Sequence, residues 1–241
     1  MFVHAYVESW RYVEGVLARL PASLHGYAPT QRGHGDAGHP PDGYGLEDFA
    51  ADIVSFMDTV GIRRAVLVGS SSGGLVSQFV ASSHPGRVLA LVLISTPASL
   101  ADKPAVAAMW DEVSNLEDPL NPAFVDQFVC SFPEALPDEF LDLLVSESLK
   151  VPARVRKETL RRLIAADSSV IMNRITSPTL LISADEDAFV SEDQEIIRRA
   201  VPDARLQIYK GAGHAVHLAR PDRIVDDVVD FVAKTVTTTG S

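Results

Sequence analysis

The stretch from Ala65 to Val76, Ala-Val-Leu-Val-Gly-Ser-Ser-Ser-Gly-Gly-Leu-Val, constrains this chain more than any other. An apolar run stops abruptly at six small residues, and an apolar, helix-compatible segment begins directly after them. The order reads as strand, sharp turn, helix. Within the turn, Gly69 to Gly73 fits G-x-S-x-G, the nucleophile elbow, in which a serine occupies a tight bend and glycines permit close backbone approach. Ser71 is the candidate nucleophile. Five letters of glycine and serine also fit a plain turn, and the flanking sequence decides between the two readings.

Upstream, Met1 to Ala5 reads as the end of a buried strand running into the loop Tyr6 to Trp10. A helix is expected from about Trp10 to Leu20 and a more polar strand over Ser23–Ala28. A glycine-rich loop then runs from Gln31 to Gly38. From Glu47, the residues Phe49, Ile53, Phe56 and Val60 recur at helical spacing, with Gly45 placed as N-cap and Gly61 as a C-terminal stop. The helix after Ser71 should end at His84-Pro85-Gly86. Val88 to Ile94 is uninterrupted apolar sequence, as a strand covered on both faces requires. This alternation predicts an α/β fold: a mostly parallel sheet with helices on both faces.

The alternation then stops. Residues 97–177 hold no convincing strand, only helix-like pieces broken by prolines at 104, 119, 122, 133, 137 and 152. The expected organisation is a core made of residues 1–96 and 178–241, with residues 97–177 inserted as a helical cap. Trp110, Phe128 and Phe132 give the insertion apolar faces and are the candidates for lining a substrate pocket. The sheet resumes with Thr179–Ser183 and the acidic turn Ala184-Asp185-Glu186-Asp187. Ser191 and Gln194 read as a capping box for a helix to about Val201. Arg205–Tyr209 is the last strand, followed by the loop Gly211-Ala212-Gly213-His214. Pro221 opens a final helix whose Val225, Val229, Val232 and Val236 should face the sheet, and Thr237–Ser241 is expected to be disordered.

Composition excludes several function classes. The net charge is -11, with no cluster of Lys and Arg to neutralise a phosphate track, so no nucleic acid partner is expected. No apolar run approaches the roughly 20 residues that span a bilayer, and no membrane partner is expected. Cys130 is the only cysteine, and Met1 opens directly onto Phe2-Val3-His4, so a cytoplasmic setting is the expectation. The histidines show no metal-ligand spacing with carboxylate support, and Gly69–Gly74 lacks the lysine of a phosphate-binding loop. No cofactor is expected.

A serine at its free pKa is a poor nucleophile, so Ser71 needs a base, and the base needs a group that fixes its tautomer. His214 follows one predicted parallel strand and the Asp185/Asp187 pair follows another, at the carboxyl ends where parallel sheets bind ligands. The chain order of serine, acid and histidine is that of the α/β-hydrolase arrangement.

With the loop His4-Ala5-Tyr6-Val7-Glu8-Ser9-Trp10, the loop Arg32-Gly33-His34-Gly35, the elbow, the segment Thr179–Asp187 and Gly211–His214, the chain resembles α/β-hydrolase-fold enzymes. The particular likeness is to the serine esterase, enol-lactonase and cofactor-free haloperoxidase type. The resemblance implies Ser71 as nucleophile, His214 as base and, of the two aspartates, Asp187 as the acid. It also implies an oxyanion hole from the backbone N–H groups of Ser72 and Tyr6. Ala5 stands where the family usually has glycine, and Ser70 where histidine is common. Relatives that open epoxides or remove halides use an aspartate nucleophile, so the expected reaction is hydrolysis of a small, largely apolar ester or lactone. A small-molecule sensor on the same fold is the alternative. A strand pair ordinarily precedes the strand that here begins at Met1. The sheet is therefore expected to end early, with a homodimer, a start site assigned too late or reduced stability as consequences.

Overall fold

Residues 1–131 and 136–236 are described by a computed structural model, Val236 by its backbone alone. Among them are five strands: β1 (Phe2–Val3), β2 (Ala65–Ser70), β3 (Val88–Ile94), β4 (Thr179–Ala184) and β5 (Ala204–Tyr209). The helices are α1 (Glu14–Leu17), α2 (Leu46–Thr59), α3 (Ser72–Ser83), α4 (Pro104–Val113), α5 (Pro122–Val129), α6 (Asp138–Leu149), α7 (Ala153–Ala165), α8 (Ser169–Met172), α9 (Asp193–Ala200), α10 (Val216–Ala219) and α11 (Pro221–Val236).

The strands pair in sequence order, β1-β2-β3-β4-β5, and every pair is parallel. Parallel crossovers are right-handed, so a sheet that always steps in one direction carries the crossover helices that lead into its strands, α2, α3 and α9, on one face. The core obeys this. Leu67 of β2, Leu91 and Leu93 of β3 and Leu181 of β4 pack with Ile53 of α2, Leu75 and Val80 of α3 and Ile197 of α9. Intervening strand residues point the other way. Val68, Val92, Ile94, Leu180 and Ile182 meet Val16 of α1 and Ile224, Val225, Val228 and Phe231 of α11. Val229 and Val232 are half-buried on this second face, while the expectations for the Val236 side chain and for Thr237–Ser241 lie outside the described residues.

Between β3 and β4 the described residues form only helices, α4 to α8. They have a core of their own, in which Val125 and Val129 of α5 and Leu144 of α6 pack on Tyr12, Ala215 and Leu218 of the sheet-bearing part. The Tyr12 hydroxyl donates to the Leu144 carbonyl at 2.9 Å.

Three local expectations are corrected. Residues 23–28 form no strand. They run beside β1 and meet it through the Phe2 N–H to Tyr27 carbonyl bond at 2.7 Å, because a two-residue strand offers no length for a ladder. Trp10–Leu20 is not one helix: a 3-10 turn over Trp10–Val13, capped by Ser9 Oγ on the Arg11 N–H, leads into the single turn of α1. The Ser191/Gln194 capping box is absent. Gln194 instead points inward, and its Nε2 donates to the Thr96 carbonyl at 2.8 Å, so the helix starts at Asp193.

Candidate active site

Strand β2 ends at Ser70, and α3 begins at Ser72, leaving Ser71 alone to make the bend. Its φ of 48° and ψ of -119° are costly for a residue with a side chain. Its backbone is held from both sides: the Ser71 N–H donates to the Ile94 carbonyl at 2.8 Å, and its carbonyl accepts from Gly74 N–H at 2.9 Å. The small residues that follow have a steric reason. A Cβ on Gly73 would overlap the carbonyl oxygens of Val3 and His4, and one on Gly74 would overlap the Thr96 side chain. Helix α3 can therefore start tight against the sheet, with Ser71 Oγ above its end.

The loops after β4 and β5 bring two more groups to this point. His214 Nε2 lies 3.1 Å from Ser71 Oγ, and His214 Nδ1 lies 2.8 Å from Asp187 Oδ2. With Nδ1–H donating to the carboxylate, Nε2 is left as an acceptor for the serine hydroxyl. Asp187 is buried, and its Oδ1 accepts the Phe189 N–H at 3.2 Å, which locks the carboxylate in place. The Phe189 ring stands edge-on to the imidazole at 5.5 Å. Asp185 lies apart from this relay: it accepts the Gly211 N–H at 2.7 Å and faces Lys210 at 3.4 Å, tying the two loops together.

Ser71, His214 and Asp187 open onto a cavity of about 610 Å³. Tyr6 and Ser72 both line it, and among the described residues neither backbone N–H is drawn into a hydrogen bond. Leu100, Met109, Phe128, Leu160, Leu163 and Phe189 supply apolar wall. Phe128 packs edge-on against Tyr6 with ring centroids 6.3 Å apart, whose hydroxyl donates to the Arg156 carbonyl of α7 at 3.1 Å. Trp110 is corrected: α4 turns Ala105, Ala108, Met109 and Glu112 to the cavity, and Trp110 falls one residue off that i, i+3, i+4, i+7 face. Phe132 lies outside the described residues.

Several wall residues were not legible as site residues. Glu8 carries a buried carboxyl, and burial pushes its pKa up to about 8. His217 lies in the wall, with its Nδ1 3.3 Å from Ser70 Oγ; burial, then the neighbouring His214, lowers it to about 3 and keeps it neutral. The spacing of His214 and His217 was the available signal. The acidic residues of the wall are Glu8, Glu112, Glu186 and Asp187, and among the described residues no Lys or Arg lines it. Among the described residues no group of three or more His, Cys, Asp and Glu side chains is placed to hold a metal ion. No helix among them is long and apolar enough to cross a membrane.

Residues 1–227 match the alpha/beta hydrolase family. The chain belongs to that family. This alpha/beta hydrolase is 25% identical over 236 residues to the non-heme chloroperoxidase of Streptomyces lividans, a match that covers 86% of this chain and 82% of that protein. Its backbone superimposes on an esterase of Exiguobacterium antarcticum with a TM-score of 0.86 at 19% identity, covering 96% of this chain and 90% of the esterase. The enol-lactonase of Burkholderia xenovorans LB400 gives a TM-score of 0.80 at 22% identity, with 96% and 90% covered. Family membership makes the chain a hydrolase-fold enzyme, and the chloroperoxidase, esterase and enol-lactonase to which it is similar are of the types named by the sequence resemblance.

Proposed function

We propose that this alpha/beta hydrolase cleaves a small, largely apolar ester or lactone through an acyl-enzyme on Ser71. The observation that carries the reading is the position of His214, within hydrogen-bond reach of Ser71 on one ring nitrogen and of Asp187 on the other. Ser71 Oγ attacks the carbonyl carbon and passes its proton to His214 Nε2. The bond to the leaving oxygen then breaks, and His214 returns the proton to that oxygen. Water attacks the acyl carbon, gives a proton to His214, and the Ser71–acyl bond breaks as Oγ recovers that proton and the carboxylic acid departs. Asp187 holds the Nδ1–H and stabilises the imidazolium in between. The N–H groups of Tyr6 and Ser72 receive the oxyanion.

The substrate class follows from the wall. Apolar side chains dominate it, while carboxyl groups without a compensating Lys or Arg disfavour an anionic acyl or leaving group. In this reading residues 97–177 act as the cap, with Leu100, Met109, Phe128, Leu160 and Leu163 among their contributions to the pocket. The setting is cytoplasmic and the partner a small molecule. A panel of p-nitrophenyl esters from acetate to octanoate, together with γ- and δ-lactones, tests it. Turnover of neutral members and loss of that turnover in Ser71→Ala is the expected result. Absence of turnover across the panel overturns the reading.

A further inference from the structure

We infer that Glu8 is a positioning residue for the oxyanion-binding loop, holding the turn that presents the Tyr6 N–H to the substrate. This rests on the proposed roles of Ser71 and Tyr6. Glu8 grips Ala5 through both of that residue's backbone groups: its Oε2 accepts the Ala5 N–H at 2.8 Å, and its own N–H donates to the Ala5 carbonyl at 3.3 Å. The two residues enclosed by this clasp are Tyr6 and Val7.

Val7 is why a clasp is required. Its φ is 57°, and a β-branched side chain in the left-handed region persists only where its surroundings over-determine the conformation. Nothing in its own chemistry favours that bend. With Ala5 freed, the turn relaxes by moving Val7 back to negative φ, and the backbone path on either side of Tyr6 moves with it. An oxyanion donor must lie about 2.7–3.1 Å from the developing charge, so small displacements there are felt in the transition state. The Tyr6 side chain has separate anchors in the Arg156 carbonyl and the Phe128 ring, and the Ala5 carbonyl is also bonded by His4 Nδ1 at 2.9 Å, so the Ala5 N–H is the loop group that depends on the Glu8 side chain.

The form of the carboxyl matters as well. Glu8 lines the cavity, and burial raises its pKa to about 8, so near neutrality it accepts the Ala5 N–H without placing a negative charge beside the oxyanion. Above that pH it becomes an anion facing the reaction. Around it, Tyr12 of the 3-10 turn is kept neutral because burial raises it, and Arg156 of α7 faces Tyr6 and Tyr12. Glu112 of α4, Glu186 and Asp187 after β4, and His214 and His217 after β5 share the cavity wall.

The test compares Glu8→Gln, which keeps a carbonyl acceptor, with Glu8→Met, which keeps the bulk and loses the acceptor. Steady-state hydrolysis of p-nitrophenyl acetate is followed from pH 6 to 9.5. Glu8→Met should lose about 10²–10³-fold in kcat with KM within a few-fold. Glu8→Gln should retain kcat within a few-fold at pH 7 and should lack the decline above pH 8 that is expected of the wild type. In Val7→Gly, where the positive φ carries no strain, the turn depends less on the carboxyl, so adding Glu8→Met to it should cost at least about tenfold less in kcat than Glu8→Met costs the wild type. Should Glu8→Met fail to fold, Glu8→Leu, which also lacks the acceptor, takes its place in both backgrounds.

Wild-type kcat in Glu8→Met, or the same loss from Glu8→Met in the Val7→Gly background as in the wild type, overturns the inference. So does a rise in KM at constant kcat, which marks a substrate contact, or an equal loss in Glu8→Gln and Glu8→Met, which marks a proton-transfer role. Lack of turnover by the wild type, measured first, defeats the functional reading itself and is thereby distinguished from failure at Glu8.

Discussion

His214 Nε2 and Ser71 Oγ stand 3.1 Å apart although 143 positions separate the two residues in the chain. The loop after β5 reaches back past β4 and β3 to the end of β2, where α3 starts. If the pair works as one unit with Asp187, removing either member should abolish the chemistry and removing both should cost little more. Ser71→Ala and His214→Ala should each lower kcat for p-nitrophenyl acetate by at least about 10³-fold, with melting midpoints near the wild type. The double variant should match the worse single one. Multiplying losses would mean independent contributions and would contradict a relay.

The two aspartates of the acidic turn should separate cleanly. Asp187 touches His214 at 2.8 Å, whereas Asp185 bonds the Gly211 N–H. Asp187→Asn retains the shape and loses the tautomer, and a loss on the order of 10⁴-fold in kcat is the precedent for such a change. Asp185→Asn should cost less than about tenfold, because the amide oxygen still accepts the loop N–H. The kinetics of the two variants under one set of conditions decide the assignment, and the reverse ranking rejects it.

Gly73→Ala should damage the fold rather than the chemistry alone. The new methyl would meet the carbonyl oxygens of Val3 and His4, which are backbone atoms that cannot swing aside. Overpacking of this kind costs about 1–3 kcal/mol or more. A melting midpoint lower by several degrees, with the start of α3 pushed from β1, is expected; an unchanged midpoint would show that the elbow has slack.

Much of this architecture was readable from residue order because period and punctuation coincide. Val88–Ile94 is apolar throughout and is buried from both sheet faces, and Gly45 and Gly61 bracket α2 as their conformations suggest. Ser71, Asp187 and His214 were legible as candidates because each follows a strand and lies in a stretch of small, acidic or glycine-rich sequence. What stayed hidden depends on tertiary contact. Gln194 looked like a cap, yet it bonds the Thr96 carbonyl 98 positions away. Trp110 looked like a pocket residue by size alone, while the rotation of α4 gives that face to Met109 and Glu112. Glu8 carries no motif of its own; its role appears only when the loop is seen to fold back on Ala5.

Buried histidines should make the fold sensitive to acid. Burial is the leading cause that lowers His4 to about 3, His34 to about 4 and His217 to about 3. The Nε2 atoms of His34 and His217 have no hydrogen-bond partner among the described residues, so protonation there finds no acceptor. A folded-state pKa below the unfolded value of 6.5 means that the unfolded chain binds the extra proton first. The stability these residues hold is complete above pH 6.5 and is lost as pH falls toward 3–4. Glu8 works in the opposite sense, since its raised pKa favours the folded state on acidification from about 8 toward 4.5. Three histidines against one carboxyl leave a net loss. The melting midpoint should fall by roughly 5 °C or more between pH 7 and pH 5. His34→Gln, if folded, should show a shallower slope; a midpoint independent of pH over this range would contradict the burial of neutral imidazoles.

The most direct measurement is the mass of the protein after incubation with an alkyl fluorophosphonate, followed by peptide mapping. Covalent capture requires a nucleophilic serine with its base in contact and a cavity that admits an uncharged, apolar group. One adduct per chain on the peptide containing Ser71, absent from Ser71→Ala and strongly slowed in His214→Ala, is expected. An unmodified wild-type chain, or an adduct on any other residue, would contradict the assignment of Ser71 as the nucleophile.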